Sequence, residues 1–546
     1  MGIIVSRHGL DAPQKSAAAP SGAGRAWAHY CYLFPELSDK PDAGLFPGAT
    51  ARQTLARLQN FEEVYRQHHH ATPRMRLAPV YTYFGQFMNH DLSAPSATAG
   101  RGKAGAAAMI IGDADVPDRM LNSRPGTTAH ILARIYNEHQ NPLLLDSLYA
   151  DGPRSGDPDV RSLYEADGVR FRLARAQTLT VEQLSATAIR PDMMLHRKGA
   201  YDLPRDVGNG VAWIADRRND ENLIISQLHL ALMLLHNKAA AALRRDIPAP
   251  AERFAAARRE LTRHYHWCIL NDYLPKLLSR GVLADVLAAP PRLPPPGQVP
   301  MEFTTAAFRF GHSMVSGRYD FNANFGKGGK AGKAATLDQL FAFTSHAKMG
   351  VFAGVAGQLP DHWLASWRRL TRLSGAPPGG ADRIDMRFAS GMLNSIRHSG
   401  KLRDSSIFFR NVMRGFFRRM AFGQDYARAY GLAPLRPARV LSAMPKEARE
   451  AAETAGLQEN TPAWLYFLCE ADALEDGERL GPVASRIIAD TVTGLIRRHG
   501  GSLLKLNGRP WHPRDSVLKT RDGKPLDSLR MLLLCAEEEQ PPESLV

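Results

Sequence analysis

Cysteine is sparse in this chain: Cys31, Cys268, Cys469 and Cys535 are the four among 546 residues. They lie far apart and none stands at metal-ligand spacing, so neither a disulfide framework nor a cysteine metal centre is expected. Long apolar runs are missing too. No segment reaches the ~18 uninterrupted apolar residues of a membrane span. The opening MGIIVSRHGL has too short an apolar run, and too little of a small-residue cleavage site, for a secretory signal. A cytoplasmic location is the resulting expectation, with export by a non-standard route left open. Strand-like alternation is scarce and no internal repeat is found, which argues against sheet-rich and solenoid architectures. Acidic residues are in deficit, 54 against 69 basic ones, giving a net charge of +15. Such a balance suits a polyanion, an anionic lipid or the attraction of small anions. The basic residues are scattered, however. Their densest patch, Arg410, Arg414, Arg418 and Arg419, carries no clear nucleic-acid-binding motif, so no nucleic-acid partner is expected.

What is present points to a large helical core. Hydrophobic residues make up 44% of the chain and charged ones 23%, an ordinary globular composition. Residues 1–72 are rich in Ala, Gly, Pro and His and read as irregular, as does the Gly-, Asp- and Pro-rich stretch 93–170. From Asp220 the pattern changes. ENLIISQLHLALMLLHNKAAAALRR repeats apolar residues at helical spacing without Gly or Pro. A second long helix is predicted over 251–278, ending near Pro275, and a third helical segment over TTAAFRFGHSMV. Further helices are predicted at 335–345, 360–371, 385–395, 405–420, 445–455 and 480–499. The fold class is mostly α, with long irregular connections and little β. The organisation is an irregular segment 1–72, one large domain 73–520 and a tail 521–546.

Nineteen histidines are many, but most histidines in any protein are solvated or structural. Two contexts single out a pair. In FGQFMNHDL, Asn89, His90 and Asp91 sit inside an otherwise apolar segment, where polar groups must serve one another or a ligand. In Arg309-Phe310-Gly311-His312, a glycine before the histidine lets a flat ligand approach the backbone. Two such histidines suit the two faces of a haem, one binding iron and one doing acid–base work opposite. A rival metal reading falls on His264 and His266. Side chains two apart on a helix do not converge, so these are read as structural.

FGQFMNHDL, ADRRNDENLIISQLHLALMLLHN, AAFRFGHSMV and RNVMRG occur in that order. Together they resemble the animal-type haem peroxidases, the peroxidase–cyclooxygenase superfamily, and are most like its bacterial members. The resemblance runs from about residue 73 to about residue 430. It implies a haem b cofactor and a domain of the haem-peroxidase type. By matching positions, it makes His90 the acid–base group for hydrogen peroxide, Gln86 the neighbouring distal glutamine and Arg218 the distal arginine. His312 becomes the iron ligand and Asn411 the acceptor of a hydrogen bond from its ring. Arg309 and Arg414 become arginines near the haem propionates. The physical logic fits these roles: a neutral imidazole tunes iron, its other nitrogen needs a fixed partner, and an arginine stabilises developing negative charge.

The sequence also departs from the family. Mammalian members ester-link haem through two carboxylates, one directly before the distal histidine and one three residues after the distal arginine. Glu221 keeps the second position, but Asn89 stands at the first, and an amide cannot form that ester. At most one link, through Glu221, is expected; an acidic residue favoured by a helix N-terminus is the alternative for Glu221. Asp91 matches a calcium-binding position, with Asp146 in the partner loop 141–149. Leu144 stands where another carboxylate is expected, and Asp91 would otherwise cap a helix or pair with an arginine. The fatty-acid oxygenases of the superfamily use a radical tyrosine three residues before the proximal histidine. Arg309 occupies that place, which argues against such chemistry. The expectation is a peroxidase acting on hydrogen peroxide and a small donor: halide, thiocyanate or a phenol. The alternative is a catalytically weak haem-binding or sensor paralogue.

Overall fold

The structure is a computed structural model that describes residues 28–68, 73–97, 125–179, 194–206, 210–289, 292, 294–295, 297–344, 358–372, 380–389, 392, 407–498, 505–506 and 509–545. The fold is mostly α, and its strands are two to four residues long. The centre is the helix Leu223–Ala242. Asn222 caps it by accepting from the Ile225 N–H at 3.1 Å. Beyond the cap it is mostly apolar, and every residue from Leu223 to His236 is buried. The helix Val80–Leu92, which carries His90, packs against it, as do Pro250–Cys268 and Leu529–Glu537.

Local chemistry explains how the His90 helix is seated. A Cβ at Gly85 would overlap the Tyr273 hydroxyl, so glycine is what admits that close approach. Tyr273 ends a π-helical turn, Ile269–Tyr273, which joins Pro250–Cys268 to Leu274–Leu277. The long helix expected over 251–278 is therefore continuous but locally rewound. Pro275 follows directly on this π turn and supplies no N–H to it.

A four-stranded sheet runs in the order Pro95–Ala97, Ile135–Asn137, Ala28–Cys31, Val299–Pro300. Its last pairing is parallel, Tyr30 opposite Val299. The chain then enters the short helix Met301–Thr305, where buried Glu302 accepts from the Leu33 and Phe34 N–H groups at 2.8 and 3.0 Å. Burial pushes that carboxyl up to about 7 against these same bonds.

Several expectations need correction. The irregular reading of 1–72 fails over Ala51–Gln67, a helix with a Thr50–Gln53 capping box and a stripe of Leu55, Leu58, Phe61 and Tyr65 buried. Residues 385–389 are not helical, and the rest of that proposed helix lies mostly outside the described residues. The segment 360–371 divides into a 3-10 turn, Asp361–Trp363, and a short helix, Trp367–Leu370. The apolar helix Ala463–Glu475 was not anticipated. The tail docks on the body: Arg197 pairs with Glu537 at 2.9 Å, and Ser544–Leu545 pairs with Leu195–His196. All four cysteines are free and buried. Among the described residues, no helix is long and apolar enough to cross a membrane.

Candidate functional site

His90 is 1% exposed and sits in the last turn of its helix. Its Nδ1 lies 2.9 Å from Asn219 Oδ1. An amide oxygen only accepts, so Nδ1 carries the proton and Nε2 keeps a lone pair. Asn219 is fixed in turn, its Nδ2 donating to His229 Nδ1 at 3.1 Å. Burial, with the nearby Arg218 charge, pushes His90 down to about 3, so it is a neutral base. Asn219 was not anticipated. It adjoins Arg218 in the matching block, but its partner lies 129 residues away and leaves no local signal.

Arg218 does not sit as the resemblance implies. Its Nη2 donates to the His90 carbonyl at 3.0 Å and to Asp216 at 2.6 Å, its Nη1 donates to the Ser93 carbonyl at 2.8 Å, and its Nε is also on Asp216. Asp216 draws the guanidinium to the backbone behind His90. Burial pushes the Asp216 carboxyl up, but the Arg218 charge and bonds from His139 and Arg218 outweigh it and hold the group well below the usual range. Gln86 turns to its neighbours: Nε2 donates to Glu221 at 3.2 Å, and Oε1 accepts from Asn222 at 3.0 Å. Glu221 thus stands on the same wall as Gln86, half-buried. Among the described residues, buried Asn89 Oδ1 has no hydrogen-bond partner.

The second histidine lies in the 3-10 turn Ala307–His312, which contacts the His90 helix. The Trp464 indole N–H pins it by donating to the Arg309 carbonyl at 3.1 Å. His312 Nδ1 lies 2.8 Å from Asn411 Nδ2. The expected pair is therefore formed, but with reversed polarity. Arg414, one turn on in the helix Ile407–Phe417, claims Asn411 Oδ1 at 3.0 Å and turns the amide nitrogen towards the ring. Burial and then the charges of Arg309, Arg414 and Arg410 hold His312 well below the ordinary histidine range. Arg309 donates from Nε to the Thr304 carbonyl at 2.8 Å. A Cβ on Gly311 would meet no atom within 4 Å, so open space borders the backbone beside His312.

This donor set fits a haem. It offers a neutral imidazole, open space beside it, clustered guanidinium charge suited to carboxylates, and an orphaned amide oxygen at Asn89. Calcium is a different case. Asp91 spends its carboxylate on the Leu145 and Ser147 N–H groups, both at 3.1 Å. Those bonds brace a loop in which Leu143 and Leu145 have left-handed φ of 66° and 62°. Asp146 accepts from Arg258 at 3.2 Å and from the Asn141 N–H at 2.9 Å. Both carboxylates thus meet donors, and a guanidinium already supplies the positive charge; the residues do not fit a calcium ion. His264 and His266 face apart, the first towards Ser516 at 2.9 Å and the second towards the Leu143 carbonyl at 2.7 Å.

The body is mostly helical, and the two histidine-bearing segments are in contact. Residues 174–358 match the animal haem peroxidase family. Peroxidase A from Dictyostelium discoideum is similar in structure, with a TM-score of 0.54 and 16% identity over 86% of this chain and 87% of that one. Fatty acid alpha-dioxygenase from Oryza sativa gives 0.48 and 13% over 78% and 70%, and that from Arabidopsis thaliana 0.48 and 10% over 86% and 72%. No curated protein matches the chain. The match over residues 174–358 and the architecture shared with peroxidase A support a haem-peroxidase-like fold.

Proposed function

We propose that the protein is a haem-dependent peroxidase that reduces hydrogen peroxide and oxidises small donors such as halide, thiocyanate or phenols. The observation that carries this reading is His90, held by Asn219 as a neutral base with Nε2 unprotonated, on a wall that contacts the turn bearing His312. His312 would ligate the haem b iron through Nε2 once its ring proton sits on Nδ1 and the Asn411 amide turns to accept it, with Arg309 and Arg414 facing the haem carboxylates. When bound, haem supplies the redox-active iron. His90 Nε2 accepts a proton from one peroxide oxygen and returns it to the other as the O–O bond breaks. Two electrons from the donor and two protons complete the conversion of peroxide to two waters. Arg218 acts as a positioning residue: it grips the His90 carbonyl, and its charge helps keep the imidazole neutral. Glu221 would be the carboxylate for at most one ester to haem; Asn89 would supply none.

Arg218 also favours a second reading, a haem protein of weak turnover, because its guanidinium is committed to Asp216 and the backbone. One experiment separates the two. Purified protein is examined for a Soret band and then for guaiacol or iodide oxidation with peroxide. Haem absorption with rapid turnover supports the peroxidase; haem without turnover supports the second reading, and absence of haem binding rejects both.

A further inference from the structure

His196, Asp361 and His362 are assigned no part in haem binding or peroxide chemistry. All three are buried, and their ligating atoms lie within 4.8 Å of one another. His196 Nδ1 is 2.6 Å from Asp361 Oδ1, and His362 Nδ1 is 4.0 Å from that same oxygen. Both ring nitrogens of His362, a residue 1% exposed, lack a hydrogen-bond partner among the described residues. A buried imidazole with neither nitrogen satisfied calls for an explanation.

We propose that these three residues form a binding site for a divalent transition metal, with zinc the cation that its donors suit. Two imidazoles and a carboxylate are the nitrogen and oxygen donors that zinc takes. Tetrahedral zinc with bonds of about 2.0 Å sets its donors about 3.3 Å apart, between the two separations observed. The segments are already fixed in register. Asn324 accepts from the Leu195 N–H at 2.8 Å, donates to the Leu195 carbonyl at 2.8 Å, and donates to the His362 carbonyl at 3.1 Å. One asparagine thus ties together the backbones that bear both histidines. Asp361 Oδ2 accepts from the hydroxyl of exposed Thr178 at 2.6 Å, so this edge borders solvent and gives the ion and a fourth, water ligand a way in. The strand Leu195–His196 pairs with Ser544–Leu545, so the metal would also secure the docked tail.

The test uses the full-length, haem-loaded protein. It is treated with chelator, dialysed against zinc and then against metal-free buffer, and zinc and iron are measured together by mass spectrometry. The expected result is about one zinc per chain. Asp361→Asn and His362→Phe each lower it at least ~10-fold, while haem absorbance holds. Cobalt in place of zinc gives the visible absorption of a tetrahedral site, absent from both variants. Zinc in the wild type no higher than in the variants overturns the proposal, whatever the haem content. If a variant fails to fold, the wild type decides alone: zinc below about a tenth of an ion per chain, or a cobalt spectrum like that of the aqueous ion, overturns it.

Discussion

The two walls of the site hold their histidines by different means. His90 is fixed by a neutral amide whose far end rests on another neutral histidine, and its nearest full charge, Arg218, is largely offset by Asp216. His312 is also fixed by an amide, but three arginines surround it. The first arrangement places one proton on a chosen nitrogen. The second accumulates positive charge, which favours an anionic group beside the ring. The contrast teaches that one residue type, asparagine, serves proton placement on one side and sits within an anion cradle on the other.

The largest way to break this contrast is His312→Ala, expected to abolish both haem retention and peroxide turnover, read from the Soret band and guaiacol oxidation. His90→Ala should leave haem bound and slow peroxide turnover by ~10²–10⁴-fold; unchanged turnover would remove His90 from the chemistry. Asn219→Leu releases the His90 ring and should cost ~10²-fold in kcat with haem content retained. Its pH profile should also shift, because the Nδ1 proton loses its partner. Arg309→Leu should weaken haem retention by about 2 kcal/mol, the worth of a charge-assisted hydrogen bond, measured by transfer to apomyoglobin. The smallest change is Asp91→Asn. It should lower stability by about 1–2 kcal/mol in urea, with added calcium leaving the midpoint unchanged; a calcium-dependent rise would restore the ion to that loop.

The neutral wall also predicts a pH dependence. His90 is lowered from 6.5 to about 3, so its base form persists far below the ordinary histidine range and turnover should lack a limb near 6.5. Between 6.5 and about 3 the unfolded chain binds a proton that folded His90 does not. Its contribution to stability is therefore lost as pH falls through that window, and His229, also lowered to about 3, acts in the same sense.

Much of this was legible in the sequence because the relevant residues lie in short blocks. The settings of His90 and His312 stood out by residue type, the roles of Gln86, Arg218 and Asn411 came from the resemblance, and the central helix was read from its unbroken apolar pattern. Other features depend on side-chain directions that no block reveals. The polarity of the Asn411 contact is decided by Arg414, and the seat of Arg218 by Asp216 two residues before it. Both residues were in view, but the direction of a side chain was not. Thr50 to Gln53 was a readable helix start; the polar residues that follow it masked the buried stripe. Strands of two to four residues are too short for alternation to register.

The parallel pairing of Tyr30 with Val299 has a kinetic consequence. It closes a very long loop immediately before the turn that presents His312, and such contacts are slow to form. The wall that would receive the iron should therefore be among the last parts of the molecule to mature. The His90 helix and the central helix beside it have less chain to gather. Refolding followed by hydrogen exchange should show the His90 helix protected first, and haem capture should trail it.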